Sequence, residues 1–514
     1  MLPRLWKANT IVFISSFCVM VIELIAARIM APYIGVSLYT WTSIIGVILA
    51  GIALGNFVGG IIADKYPRPF VLVAIFLIGS LATIVVLPFV KVVAYAGWFN
   101  GLPLILSFML KTACVFFLPA VILSMVSPLV IKITLPDVGK TGGVVGTIYA
   151  FSTVGAILGT FMTGYFFILW FGTRTLVWLV AVVLIITGII SWFLWKVPER
   201  WKLSPVNLAT WIIVVLVVLS AISIYNFPKS WQEVYTKESN YYAIKVTTES
   251  GNKKVLALDH LIHNYVYPDN PTLLDYGYEK TFAEIAGYVM KSNPNPRVLH
   301  LGAGGYSFAR YMAIAHPGSV NDAVEIDPEV TKIAYSELGL PVGINITTYN
   351  EDARLFLINR NSNEKYDIVA GDVFNDLSTP FHLTTLQFDR LVKSNMSTDG
   401  IYMINIIDDF QSGRYIPSCI LTLKQVFKHV SLFSPSEENW NEFGICTFII
   451  VASDRNIDPQ EYKQVMLQNS SDTLSAFPSN EVTLNKYLSE RDPILLTDDH
   501  APTDILVAPL IRKR

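Results

Sequence analysis

"VLHLGAGGYSFARYMAIAHPGSVNDAVEIDPEV", Val298–Val330, decides how the C-terminal half of this chain is read. "RVLHL" is a short, nearly continuous apolar strand, "GAGGY" a glycine turn, "SFARYMAIA" a helix and "DAVEID" a second strand. That order is a βαβ unit. Gly302, Gly304 and Gly305 permit a tight turn and let a ligand lie against the backbone where the helix begins. Glu325 ends the second strand about twenty residues on, where an acid can hold both hydroxyls of a ribose. A dinucleotide fits so far, except that its fingerprint wants Gly or Ala where the chain has Ser307.

Further strands follow at "INITTYN", "YDIVAGDVF", "GIYMINII" and "CTFIIVAS", with helices between them. Strands alternating with helices predict a mostly parallel, doubly wound sheet. Asp352, with Ala353 after it, follows the third strand, where a side chain reaches an adenine amino group. Asp372 ends the fourth strand, over the cleft where a transferred group would sit. Strand-end sites in this order suit an adenosylmethionine-type ligand better than NAD. The expected fold is therefore Rossmann-like, of the adenosylmethionine methyltransferase type, over residues 291–514. Before it, residues 229–290 form a small β subdomain and a lead-in helix. "YYAIKVTTESGNKKVLALDHLIHNYVY" alternates around a Ser-Gly-Asn turn, and "LLDYGYEKTFAEIAGYVMK" has helical spacing.

The N-terminal part is of another kind. The chain has 514 residues, 53% hydrophobic and only 15% charged, against about a quarter charged in soluble domains. Up to Phe227 charges are scarce. Apolar runs near 10–30, 40–63, 70–90, 102–131, 143–171, 174–195 and 207–227 predict a polytopic bundle of about seven helices over residues 1–228. The fourth and fifth runs are long enough to contain a break. "GVILAGIALGNFVGG", Gly46–Gly60, spaces small residues as close helix packing in lipid requires. Glu23 and Arg28 lie in the first span, either as a polar site within the bundle or with Arg28 at the interface and Glu23 paired to another helix. Arg4, Lys7, Lys65, Arg68, Lys132 and Lys140 share one side if every span crosses, which puts the N-terminus in the cytoplasm. Seven crossings then place the soluble domain outside, whereas supply of an adenosyl ligand favours the cytoplasm; the expectation leans to a cell-membrane protein with a cytoplasmic domain. The first apolar run leads into further spans rather than to a signal-peptide cleavage site. The net charge of -2 and the lack of a basic stripe argue against nucleic acid. Cys18 and Cys114 fall in apolar segments, Cys419 and Cys446 in the soluble part, and no CxxC pair points to a metal.

On these motifs the sequence resembles the spermidine synthase (polyamine aminopropyltransferase) family, in its membrane-fused branch. "VLHLGAGGYSFARY" resembles the family's glycine loop, "AVEIDPEV" its ribose-binding strand and "YDIVAGDVFNDLSTPFHLTTLQFDRL" its catalytic stretch; "LLTDDHAPTD" is similar to the closing motif of that branch. The resemblance implies decarboxylated S-adenosylmethionine as co-substrate, no prosthetic group, and an amine acceptor such as putrescine or another polyamine. It implies Glu325 on ribose, Asp352 on adenine and Asp372 facing the attacking amine. Asp376 would hold the second charge of a cationic acceptor, or else cap a helix before "LSTPF". The chain also departs from the family. Gly305 stands where soluble members carry an acid that contacts the polyamine. Asp275 and Tyr278 remain in "DYGYEK", but the acid after them is displaced. Tyr242 takes the place of a donor-contacting Gln, and His263 lies where a Gln is usual. The expected partners are the acceptor and the lipid bilayer, with a homodimer left open. The alternatives are alkyl or methyl transfer from S-adenosylmethionine to another acceptor, and a non-catalytic adenosyl- or polyamine-binding membrane protein or transporter.

Overall fold

The computed structural model describes residues 2–96, 98–99, 101–135, 141–195, 233–259, 261–360, 363–374, 379–434, 444–467 and 474–513. Among them, six helices are long and apolar enough to cross a membrane: α1 Leu5–Ala31, α2 Leu38–Lys65, α3 Pro69–Ala94, α4 Leu104–Thr134, α5 Thr141–Phe167 and α6 Trp170–Leu194. They correspond to the first six apolar runs; the seventh, 207–227, lies outside the described residues. The long fourth run is one span with a π-turn at Ala113–Phe117. Gly51, Gly55 and Gly59 recur every fourth residue and so share one face of α2. A Cβ at Gly51 would lie 2.8 Å from Ala120 Cβ, and one at Gly59 2.7 Å from Met125 Cα. Missing side chains thus let the backbones of α2 and α4 meet, which in lipid is a main source of helix association. Gly155 and Gly159 of α5 play the same part against Phe13 and Phe17 of α1.

The ends of α1 are tied down separately. Lys7 Nζ donates to the Leu194 carbonyl at 3.0 Å, joining the start of α1 to the end of α6. At the other end, Arg28 donates to the Ser239 carbonyl at 3.0 Å and to that of Asn240. Gly172, at φ 71, breaks the helical path. Thr173, buried just after it, donates its amide and its hydroxyl to Glu238 at 2.9 and 2.7 Å, an acid where a helix N-terminus favours one. These bonds explain why Lys237–Ala243 groups with the helices, although the strands flanking it were expected to stay with the small sheet. Arg28 thus spends its donors on carbonyls at the helix end, and Glu23 is partly buried.

In the α/β unit, a four-stranded sheet of order β1-β2-β3-β4 comes first (Glu233–Glu238, Ala243–Thr248, Lys254–Leu258, Leu261–Val266). Gly251 and Asn252 take positive φ in the Ser-Gly-Asn turn, as a tight hairpin needs. Helix α7, Gly277–Met290, leads to an eight-stranded sheet of order β12-β10-β11-β9-β8-β5-β6-β7. Its strands are β5 Arg297–Leu301, β6 Val320–Val324, β7 Ile346–Tyr349, β8 Tyr366–Gly371, β9 Met396–Asp409, β10 His429–Ser434, β11 Ile445–Ser453 and β12 Phe477–Pro478. Strands β5 to β9 pair in parallel. Strand β11, expected to continue that pattern, is antiparallel to both β9 and β10; β10 has too short an apolar run to be foreseen. Alternate residues enter opposite cores. Leu299, Leu301, Val369 and Tyr402 face one, and Val298, Ile368, Ala370, Ile401 and Met403 the other. Burial on both faces is why these strands read as continuous apolar runs. From β5 the chain winds outward through β6 and β7, then returns to β8 on the other flank of β5. That reversal opens a crevice beyond the carboxyl ends of β5 and β8.

Candidate active site

Register fixes the centre of the site. Leu301 of β5 pairs with Gly371 of β8, so the next residues, Gly302 and Asp372, leave the sheet side by side. Asp372 N donates to the Leu301 carbonyl at 2.8 Å. Gly302 has φ 79, and a Cβ there would run into the Asp372 carbonyl, so both conformation and space demand glycine. Gly304 has φ 48, and its absent Cβ leaves room for Asn264 Oδ1. Tyr306, buried and at φ 59, leads into α8, Ser307–Ala315. The amides of this loop are all engaged within the protein. Gly302 N donates to the Val324 carbonyl at 2.9 Å and Tyr306 N to that of Ala303 at 2.7 Å. Ala303 N and Gly304 N donate to Glu325 Oε2 at 3.1 and 3.0 Å, and Gly305 N to Asn264 Oδ1 at 2.6 Å. A pyrophosphate would need those N–H groups, so the loop is poorly suited to a dinucleotide.

Glu325 is buried at the end of β6, and its Oε1 also accepts from Asp327 N at 3.0 Å. Burial pushes its carboxyl up to about 7 in spite of the amides that favour the charged form. Asp352 caps helix α9, Ala353–Asn359, accepting from Arg354 N at 2.9 Å and Leu355 N at 3.1 Å. Its second oxygen meets His382 Nε2 at 2.8 Å, and this contact holds the carboxyl below the usual range. Ala353 is the buried first residue of α9. The "LLTDDHAPTD" segment braces this rim: Asp498 takes two bonds from Arg354, at 2.8 and 2.6 Å, and one from Thr385 at 2.6 Å.

Asp372 is held on both sides. Tyr278, from α7, donates to Oδ2 at 2.7 Å, and Asn405 Nδ2 donates to Oδ1 at 2.8 Å. Gly371 pairs with Ile404, so Asp372 and Asn405 are the next residues on neighbouring strands. Burial raises the Asp372 carboxyl, and its two donors draw it back. A cleft of about 320 Å³ beside it is lined by Asn264, Tyr278, Glu279, His300, Gly302 and Ser307, among others. Asn264, 3% exposed, joins this cleft together. It accepts from Gly305 N and donates to Glu279 Oε1 at 2.9 Å and Ser307 Oγ at 3.2 Å. Burial and the Asp372 charge push the Glu279 carboxyl up to about 8.

The structure therefore brings Gly302, Gly304, Gly305, Glu325, Tyr278 and Asp372 to one crevice, with Asp352 and Ala353 just beyond the end of β7. It does not bring Asp275 there. Asp275 pairs with Lys253 at 2.9 Å and accepts from Tyr267 at 3.0 Å, and Lys253 holds its carboxyl low. His263 is an extra residue in β4, where Leu256 pairs with Asn264 but Ala257 with Ile262. Asn264, the next residue of this strand, reaches the glycine loop. Tyr242 belongs to the segment that groups with the helices, and Asp376 lies outside the described residues.

No family model matches the chain. It is 29% identical over 217 residues to a polyamine aminopropyltransferase of Vibrio vulnificus (strain CMCP6), covering 42% of this chain and 71% of that protein. It is 26% identical over 233 residues to a probable polyamine aminopropyl transferase of Bifidobacterium longum (strain NCC 2705), covering 43% of this chain and 51% of that protein. The α/β part of the chain is thus similar in sequence to polyamine aminopropyltransferases, the spermidine synthase family. The names of these relatives are those of transferases. Among solved structures it is similar to a probable spermidine synthase from Corynebacterium glutamicum ATCC 13032, at 21% identity and TM-score 0.46, over 51% of this chain and 95% of that one. A spermidine synthase from Thermotoga maritima matches at 17% identity and TM-score 0.38, over 50% and 88%. Against the family motifs, sequence reasoning missed Asn264, Glu279, His382 and Asn405. Asn405 did leave a signal, as a polar residue within the apolar run "GIYMINII"; the others depend on pairing across the fold.

Proposed function

We propose that this protein is a membrane-embedded polyamine aminopropyltransferase. It moves the propylamine group of decarboxylated S-adenosylmethionine to an amine such as putrescine and releases methylthioadenosine. The observation that carries this reading is Asp372, at the crevice between β5 and β8 and aimed by Tyr278 and Asn405, beside a glycine loop whose amides are already engaged. Glu325 and Asp352 hold the ribose and adenine of the donor. The lone pair of the acceptor nitrogen attacks the methylene next to the sulfonium. The N–C bond forms as the C–S bond breaks, and the bonding pair stays on sulfur. The leaving thioether is neutral and needs no acid. The nitrogen must shed a proton, and Asp372 accepts it. Its raised carboxyl is a better base than a solvated one, and its two hydrogen bonds fix the direction in which it acts. Asp376 takes the second charge of the acceptor.

Calorimetry on the full chain in detergent tests the site. Methylthioadenosine is expected to bind and NAD not to, and the decarboxylated donor with putrescine is expected to yield spermidine. Binding of NAD without methylthioadenosine, or no propylamine transfer to any polyamine, removes the reading.

The apolar helices embed the protein in lipid. Lys7 and Arg28 lie about 30 Å apart along α1, by the rise of a helix. Segment 237–243, held by Arg28, is thus at the end of the bundle away from Lys7 and Leu194. With the N-terminal end cytoplasmic by its lysines and arginines, this segment faces the exterior, contrary to the expectation drawn from donor supply. Tyr241 is 44% exposed there. In a variant without the native cysteines, Tyr241→Cys is expected to react with an impermeant maleimide on intact cells. Protection until the cells are permeabilised reverses the assignment.

A further inference from the structure

Glu23 stands within the helical bundle without a partner. From Ile11 to Ala31 no residue of α1 is exposed, so α1 runs through the middle of the helices and Glu23, half-buried, lies among them. Among the described residues it makes no hydrogen bond or ion pair. By the rise of a helix it sits about 12 Å inside the Ala31 end of its span.

The facing edge of α5 is open at the same place. Gly155 meets Phe13 and Gly159 meets Phe17, so α1 and α5 run side by side in the same direction. Ser16 and Ser152 close a hydrogen bond across this seam at 2.7 Å. Glu23 comes about two turns after Ser16, and Thr163 about three turns after Ser152, so each returns to the same edge of its helix. There α1 contacts the π-turn that begins at Thr163, and such turns within helices are frequent at functional positions. Thr147, Thr153 and Thr160 of α5 each donate to the carbonyl four residues back, at 2.7, 3.0 and 3.0 Å. Thr163 does not: it is 0% exposed, and its hydroxyl has no partner.

An unpaired carboxyl and an unpaired buried hydroxyl on one seam ask for a donor. Inside a bundle a carboxyl with no cation beside it keeps its proton, because a lone charge there is costly. The protein's own cations are elsewhere. Lys91 and Arg174 lie near the ends of α3 and α6, the part of α4 that carries Lys111 packs on α2, and Arg28 is engaged at Ser239 and Asn240. One carboxyl and one hydroxyl are too few oxygens for a dehydrated divalent ion. The side chains alongside are aromatic, Phe167 lying 6.2 Å from Phe17 and 5.9 Å from Phe171 between ring centroids, and such walls suit hydrocarbon next to a cation.

We propose that the helical bundle binds an alkylammonium ion in exchange for a proton at Glu23. The ammonium donates to the Glu23 carboxylate and to the Thr163 hydroxyl, and the proton it replaces leaves to water. The site is neutral overall in both states, as an apolar surround demands. This site is separate from the crevice at Asp372 and does not rest on the donor reading.

Dicyclohexylcarbodiimide, which adds to protonated carboxyls in apolar surroundings, tests it on the full chain in detergent, with labelling of the Glu23 peptide read by mass spectrometry. Glu23 is expected to be labelled in the amine-free protein. Putrescine is expected to slow the labelling about tenfold at about ten times its dissociation constant, and sodium chloride of equal ionic strength to leave it unchanged. Thr163→Val is expected to raise the putrescine needed about tenfold, while Thr163→Ser, which keeps the hydroxyl, protects as wild type does. Asp372→Asn is expected to protect as wild type does too, since the crevice takes no part. No labelling without amine, labelling indifferent to putrescine, or equal protection by sodium chloride overturns the proposal. So does full protection in Thr163→Val, loss of it in Thr163→Ser, or loss of it in Asp372→Asn.

Discussion

Gly55 of α2 and Gly304 of the loop after β5 both leave room for a neighbouring atom, but the two regions use that room differently. Gly55 is helical, and its absent side chain admits the backbone of α4 near Val121. Gly304 has φ 48 and admits the side-chain oxygen of Asn264. Polar groups divide the same way. Within the helices, Ser15 and Ser80 donate to main-chain carbonyls of other helices, at 3.2 and 3.0 Å, as an apolar surround demands. In the crevice, Glu279 keeps an unpaired oxygen, and Glu325, Glu279 and Asp372 are all raised by burial. Among the described residues, the side-chain atoms that the helices leave fully buried without a partner are neutral ones, Asn9 Oδ1 and the Thr112, Thr134 and Thr163 hydroxyls; the crevice holds acids at an energetic cost, as ligand sites do.

The largest effect is expected at the acid given the chemistry. Asp372→Asn should lower turnover by about 10²–10⁴ while methylthioadenosine affinity, read by calorimetry, stays as in wild type. Wild-type turnover in this variant would make Asp372 another internally satisfied group, like those of the helices.

Glycine substitutions sharpen the contrast next. Gly304→Ala imposes a left-handed conformation on a residue with a Cβ and crowds Asn264, so it should weaken methylthioadenosine binding by roughly 1–3 kcal/mol. Gly55→Ala pushes α2 from α4 and should lower the melting temperature of the helical transition without altering that affinity. Equal loss of affinity in both variants would show that the two uses of glycine are not separable.

The smallest effect is in pH. Glu279 and Glu325 have folded values of about 8 and about 7 against an ordinary 4.5. A carboxyl raised on folding holds its proton more tightly in the native state. Its contribution is therefore complete below the ordinary value and is lost as pH rises through the folded one. Asp372 faces Glu279 and is shifted in the same direction, while Arg310 opposes the shift. The ligand-free α/β transition should lose stability from pH 5 to pH 9. Glu279→Gln should recover roughly 1–3 kcal/mol at the upper end and nothing at pH 5. Asp352, held low by His382, acts the other way, losing its contribution as pH falls. A flat melting profile in wild type would place these acids with the satisfied groups of the helices.

The amino-acid sequence by itself determined what depends on neighbours along the chain. Apolar runs long enough for a bilayer, small residues spaced by one helical turn, the Ser-Gly-Asn hairpin and the glycine turn between β5 and α8 are local patterns. So is the placing of Glu325, Asp352 and Asp372 just past strand ends. Tertiary structure decided what depends on register and on contacts between distant segments. The extra residue at His263 turns Asn264 toward the glycine loop, because adding one residue to a strand exchanges its faces. Lys253 removes Asp275 from the site through an ion pair that no spacing predicts. Strand β11 runs antiparallel because β10 returns to it as a hairpin. Glu279 becomes part of the cleft only when α7 packs against α8, β9 and β11, since burial beside Asp372, rather than residue type, is what gives that carboxylate its energy and its open oxygen.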